Sequence, residues 1–251
     1  MIKICRARKL VPIALFLLAL GSFLPGGLAA AYVLPSQQLL QFMAVHFAKF
    51  ETLVINQTVE RQSAEGIQSF GEILTMKDPD LIHAAVTETA GNLPRVIDRS
   101  FRALFLASTP GKIESLLKGA GVDTERVSYT RVDGTVAYLI GDKKSDGPNM
   151  AVEKARSLPL FFSYPSRFTQ GPETIKVDFR DYRRVEQGWY PFEILISSNA
   201  GWKERYTLQS IRVNVAADLS QVEALPMGTS QTQKDEAIQG IIKKFEQQYG
   251  R

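Results

Sequence analysis

The residues that could do chemistry in this chain are few, and their spacing is unhelpful for catalysis. His46 and His83 are the only histidines, they fall on separate segments, and neither belongs to an HExxH pattern, so zinc hydrolysis is unsupported. The one cysteine, Cys5, lies in the N-terminal leader, which leaves the body without a thiol nucleophile, a thiolate metal site or a disulfide. No GxSxG elbow and no GxxxxGK[ST] loop occur. Lys118-Gly119-Ala120-Gly121 has GxG alone and follows a helical pattern instead of a strand, which is the wrong context for a dinucleotide. Asp78 and Asp80 flank Pro79 in ordinary turn chemistry, with no EF-hand spacing after them. Paired carboxylates occur in any chain with 26 acidic residues, so they lend no support to glycoside hydrolysis. The expectation is therefore no catalytic residue, no metal and no cofactor.

Apolar and aromatic side chains on strand-like segments are abundant instead. Phe70, Tyr138, Phe161, Phe162, Phe179, Tyr190 and Phe192 belong to this set, with Trp189 and Trp202 beside them. Such residues form a structural core, or they line a hydrophobic ligand cavity on one side of a curved sheet; pattern alone leaves both open. Alternation assigns Phe70, Leu74, Phe179, Tyr190, Phe192 and Ile194 to one concave side, and these are the candidate cavity residues.

The elements that must position them read as follows. Pro35-Ser36 opens a helical pattern carrying Leu39, Leu40, Met43, Phe47 and Phe50, either a helix resting on the core or a mobile lid whose gripping residues are Leu39, Leu40, Met43 and Phe47. Three strands follow, 52–61, 67–76 and 81–89, separated by turn residues at 64–66 and 78–80, and they read as an antiparallel meander. Residues 94–107 fit a helix or a strand equally well. Thr109-Pro110 reads as an N-cap followed by proline at the first helical position, and Gly119 and Gly121 end that helix. Asp133-Gly134 is the strongest hairpin signal, joining strands 126–132 and 135–140. Short apolar strands at 150–153 and 158–164 come next. Then follow three well-alternating ones, at 173–182, from Tyr190 to Ile196, and at 203–215 with Ile211, Val213 and Val215 on one side. One wet and one apolar face on each late strand describes a curved antiparallel sheet with one side to fill.

Composition agrees with a globular body. Of the 251 residues 45% are hydrophobic, which excludes a disordered or collagen-like chain. Four of the 30 basic residues (Lys3, Arg6, Arg8, Lys9) lie in the leader, so the remainder balances 26 basic against 26 acidic groups and no basic nucleic-acid surface is implied. Residues 1–9 form a positive n-region, Leu10 to Leu24 an apolar h-region, and Ala29-Ala30-Ala31 a cleavage site, so 1–31 is read as a signal peptide. The alternative is an uncleaved inner-membrane anchor, since the 25 uncharged residues from Leu10 to Leu34 would span about 37 Å as a helix; Pro12, Pro25 and Gly26-Gly27 argue against it. Either way the body lies outside the cytoplasm. The expected domains are residues 32–225 and then, from 226 to 251, a linker and an amphipathic C-terminal helix with Ile238, Ile241, Ile242, Phe245 and Tyr249 on one face.

Several segments together resemble the LolA-like family of periplasmic lipoprotein carriers. VHFAKFETLVINQTVERQ (45–62) is similar to that family's helix leading into an F-x-A-x-F-x-Q strand, and Lys77-Asp78-Pro79-Asp80-Leu81 to its K-R-P-N-L turn. Residues 204–211 with Asn214 and Asp218-Leu219-Ser220 resemble its final strand and D-x-S-x-F exit, and 150–161 and Trp189-Tyr190-Pro191 resemble segments of sorting-protein relatives. The resemblance implies a mainly β (α+β) fold: an incomplete antiparallel β-barrel of about eleven strands with covering helices. It also implies shielding of the acyl chains of a lipoprotein or lipid in the periplasm, between an inner-membrane transporter and an outer-membrane acceptor, by a monomer that is not an enzyme. A regulatory or envelope-assembly module of the same fold, sensing lipoproteins through protein contacts, is the alternative. In the family an arginine of the turn latches the lid to helix carbonyls; Asp78 stands at that position here, and a carboxylate cannot donate to a carbonyl.

Overall fold

The computed structural model describes residues 33–215 except 65, 78–80, 89–97, 144–146 and 167–172. The leader, Asp78 and the C-terminal helix expected at 234–249 lie outside the described residues.

Alternation along the chain becomes ten antiparallel strands, β1 (Thr52–Ser63), β2 (Gly66–Lys77), β3 (Leu81–Glu88), β4 (Val127–Val132), β5 (Thr135–Gly141), β6 (Asn149–Glu153), β7 (Pro159–Pro165), β8 (Thr174–Val185), β9 (Gly188–Ser198) and β10 (Lys203–Val213). They form one sheet in the order β3-β2-β1-β10-β9-β8-β7-β6-β5-β4. Every neighbour except β1 and β10 is consecutive in sequence, so two meanders meet where the last strand returns beside the first. Among the described residues the edges β3 and β4 do not pair, leaving an incomplete barrel of ten strands, close to the eleven that the resemblance implies.

Local chemistry sets the turns. Asp133 and Gly134 both take positive φ, 47° and 82°, as a two-residue hairpin between twisted strands requires. In β10 the inward set shifts from Glu204, Tyr206 and Leu208 to Ile211 and Val213, because a bulge opposite Asn56/Gln57 inserts one residue and restores the apolar phase. Asp181 takes a left-handed φ of 49° near the end of β8, beside the half-buried Tyr182, which packs against the core.

Among the described residues three short helical elements accompany the sheet. The ambiguous stretch 94–107 is neither α-helix nor strand where it is described: Ser100–Leu106 is a 3₁₀ helix, η1, which buries Phe101, Arg102, Leu104, Phe105 and Leu106. Helix α2 (Pro110–Gly119) begins as expected, with the Thr109 hydroxyl accepting from the Lys112 amide and proline in the first turn. Helix α1 (Ser36–Phe47) differs: no side chain caps its N-terminus and no acid lies in its first turn. A 12-residue helix so poorly supported at its start is marginal alone, so α1 is held by packing. Leu39, Leu40, Met43, Ala44 and Phe47 are buried in the same cluster as the inner face of the sheet. Its C-terminal end is pinned by side chains. His46 Nε2 hydrogen-bonds the Arg156 carbonyl at 2.7 Å, Asn214 donates to the Lys49 carbonyl at 2.8 Å, and the Glu51 amide donates to Asn214. Gly188 opens β9 against this end, where a Cβ would stand 2.4 Å from the Phe50 ring and 2.7 Å from the His46 carbonyl.

Candidate functional site

The inner face of the half-barrel is divided into an apolar and a polar layer. The apolar layer is built around Phe105 of η1, whose ring meets Phe47 of α1 at 5.4 Å, Phe179 of β8 at 5.4 Å and Tyr190 of β9 at 4.6 Å. Phe101 adds a contact to Phe179 at 6.1 Å. Helix α1 contributes Leu39, Met43 and Phe47, all fully buried. The candidate cavity residues and the candidate lid residues therefore meet in one continuous cluster, filled by side chains of α1 and η1.

Each expected cavity residue has a definite place. Leu74 lies opposite Ile55 on β1 and Ala84 on β3. Ile194 sits between Phe179 and Tyr206 on the neighbouring strands, and Phe179, Tyr190 and Ile194 are all buried. Phe70 is buried at the polar end, 5.9 Å below the Arg61 guanidinium. Phe192 is half-buried at the margin, with the guanidinium of the exposed Arg183 4.4 Å above its ring.

The polar layer is what sequence reasoning missed. Gln57 and Glu72 face each other across β1 and β2, and Gln57 donates to Glu72 at 2.8 Å. Arg99, which precedes η1, donates to the other Glu72 oxygen at 2.5 Å. Arg102, fully buried, donates from Nη2 to Gln57 at 3.1 Å and from Nη1 to the Tyr190 hydroxyl at 2.8 Å. Its guanidinium lies against the rings of Phe101 and Tyr206, 5.1 and 4.8 Å from their centroids. Arg61 and Glu204, paired directly across β1 and β10, form an ion pair at 2.5 Å, and the Tyr206 hydroxyl donates to the same carboxylate. Burial raises the pKa of Tyr206, reinforced by the Glu204 charge against the lowering effect of Arg99 and Arg102, so the phenol keeps its proton and donates. Burial likewise raises Tyr190, against the opposing pull of Arg102.

A signal for this layer exists in the sequence. Gln57 and Arg61 fall on the parity of Leu53, Ile55 and Val59; Glu72 falls on that of Phe70, Leu74 and Met76; Glu204 shares the parity of Tyr206 and Leu208. Polar residues at inward positions of an alternating strand must find buried partners, and these do. No group of three or more His, Cys, Asp or Glu that could hold a metal occurs among the described residues. His46 and His83 stand on α1 and β3, and no helix among the described residues is long and apolar enough to cross a membrane.

No protein-family model and no curated protein matches the chain. Solved structures do. A domain from Vibrio parahaemolyticus named as an outer membrane lipoprotein-sorting protein aligns at 12% identity over 73% of this chain and 94% of its own, with a TM-score of 0.51. A LolA superfamily protein from Nitrosomonas europaea aligns at 11% identity over 74% of this chain and 96% of its own, with a TM-score of 0.47. A DUF1329 family protein from Desulfovibrio piger aligns at 14% identity over 74% and 96%, with a TM-score of 0.44. Such identities speak for architecture alone. The half-barrel with its covering helices shares the fold of the Vibrio parahaemolyticus lipoprotein-sorting domain.

Proposed function

We propose that the chain is a carrier that binds the acyl chains of lipoproteins, or other hydrophobic ligands, against the inner face of its half-barrel. The observation that carries this reading is the nature of the cover. Two short elements, α1 and η1, fill the inner face with Leu39, Met43, Phe47 and Phe105, and α1 has no capping side chain of its own at its start. Those four buried side chains contribute about 1.5–3 kcal/mol each, some 6–12 kcal/mol together, while an acyl chain of about 16 carbons gains about 0.8 kcal/mol per CH₂ on burial, roughly 13 kcal/mol. The two quantities are comparable, so a ligand can take the place of the cover without an energised step. Phe70, Leu74, Phe179, Tyr190, Phe192 and Ile194 line the face in this reading, and Leu39, Leu40, Met43 and Phe47 belong to the part that lifts.

The buried arginines hydrogen-bond η1 to the sheet, Arg99 to Glu72 and Arg102 to Gln57 and Tyr190. In this proposal they do what the family's turn arginine does elsewhere. Export through the leader, a periplasmic site of action, and delivery from an inner-membrane transporter to an outer-membrane acceptor by a monomeric, non-enzymatic chaperone complete the reading. It draws support from the leader pattern and from the fold.

Mass spectrometry of organic extracts from the purified chain is the test. Lipid or acylated peptide should co-purify in near-stoichiometric amount. A lipid-free chain that also ignores an added fluorescent acyl probe refutes the carrier reading.

A further inference from the structure

Arg102 is the largest fully buried side chain in the described structure and an unusual one to place there. Among the described residues no carboxylate pairs with it: Gln57 and Tyr190 are neutral, and the remaining neighbours are the faces of Phe101 and Tyr206. Its Nε has no hydrogen-bond partner among the described residues, and neither has the buried Nη1 of Arg99. The two arginines are three apart at the start of a 3₁₀ helix, where residues i and i+3 share a side, and both engage the same cross-strand pair, Gln57 and Glu72. A buried guanidinium without a counter-charge is costly, and its planar fork is suited to a carboxylate or phosphate. Tyr190 marks the boundary between layers, with its ring on Phe105 and its hydroxyl on Arg102. An apolar layer adjoining a guanidinium without a carboxylate partner matches a molecule built the same way.

We infer that the ligand is an amphiphile with an anionic head group, its tail on the inner face at Phe179 and Tyr190, where Phe105 now packs, and its head against the donors of Arg102 and Arg99 that have no partner among the described residues. This rests on the hydrophobic-ligand reading above and adds the chemical class of the head group. In this layer Arg61 is engaged with Glu204 and Glu72 with Arg99, and the buried Asp98 carboxylate accepts from the Ser100 amide, which leaves Arg102 as the cation a ligand can neutralise.

The purified full chain is titrated with a fluorescent long-chain polyene fatty acid and, separately, with its methyl ester. The acid should bind at least about tenfold more tightly, the scale of one charge-assisted hydrogen bond. That preference should shrink to within about twofold in Arg102→Met and be kept in Arg102→Lys, with the ester's affinity little changed. Inorganic phosphate or acetate alone should not displace the acid. Equal affinity for acid and ester in the wild-type chain overturns the anionic head group while leaving the hydrophobic-ligand reading intact. Displacement by phosphate alone overturns the amphiphile. Binding of neither probe overturns both readings. The wild-type comparison stands even where a variant fails to fold.

Discussion

Phe105→Ala separates a plug from an ordinary core residue. The ring is fully buried and touches Phe47, Phe179 and Tyr190, so truncation leaves a void lined by three aromatic rings. A buried Phe→Ala change costs about 3–5 kcal/mol. With a urea slope of about 2 kcal/mol/M, the unfolding midpoint should fall by about 2 M, followed through the fluorescence of Trp189 and Trp202. Ligand binding should move the other way. In the wild-type chain an acyl chain must displace Phe105, at about 1.5–3 kcal/mol; in the variant it fills a void already present, and its Kd should fall by roughly 10- to 100-fold. Urea unfolding repeated with saturating palmitate should therefore recover more stability in the variant than in the wild type. Full destabilisation with unchanged or weaker affinity would refute the reasoning and return Phe105 to the structural core.

Gly188→Ala places a methyl against the Phe50 ring and the His46 carbonyl, at 2.4 and 2.7 Å. It should cost about 1–3 kcal/mol and speed amide exchange in α1, and wild-type protection of that helix would show that its end yields freely. Burial lowers the pKa of His46 from the ordinary 6.5, opposed by its hydrogen bond to the Arg156 carbonyl. The unfolded chain then binds the proton more readily, so stability should be level above about pH 7 and decline as pH drops below 6.5. His46→Gln should flatten that part of the profile, and an equally steep decline in the variant would assign it to other groups. Arg61→Met strands the buried Glu204 carboxylate and should cost about 3–5 kcal/mol, largely recovered in Arg61→Met/Glu204→Met; a loss below about 1 kcal/mol in the single variant would show that water reaches the site.

The sheet was legible because period-2 alternation is strong wherever one face is buried and the other wet. It placed β1, β2, β3 and β8 to within a few residues, and Asp133-Gly134 marked the β4–β5 hairpin. The segment now known as η1 was not legible: Phe101, Leu104 and Phe105 suit several conformations, and tertiary packing against Phe179 and Tyr190 selects among them. The candidate site was half legible. Alternation tells which side a residue faces, so Phe179, Tyr190 and Ile194 were placed inward, but it does not tell what fills that side. The polar layer is visible only as a violation, with Gln57, Arg61, Glu72 and Glu204 at apolar positions, and no motif marks it. Bulges hide phase as well: Ile211 and Val213 gave no hint that Glu204 and Tyr206 share their side.

Photo-crosslinking with a diazirine-bearing fatty acid, followed by peptide mapping, tests most directly that a hydrophobic ligand occupies the inner face. The label should appear on α1, η1, β8 and β9, around Phe47, Phe105, Phe179 and Tyr190, and unlabelled palmitate should compete it away. Label confined to outward apolar residues such as Ile67, Ile73 and Val136, or insensitive to competition, would contradict the account.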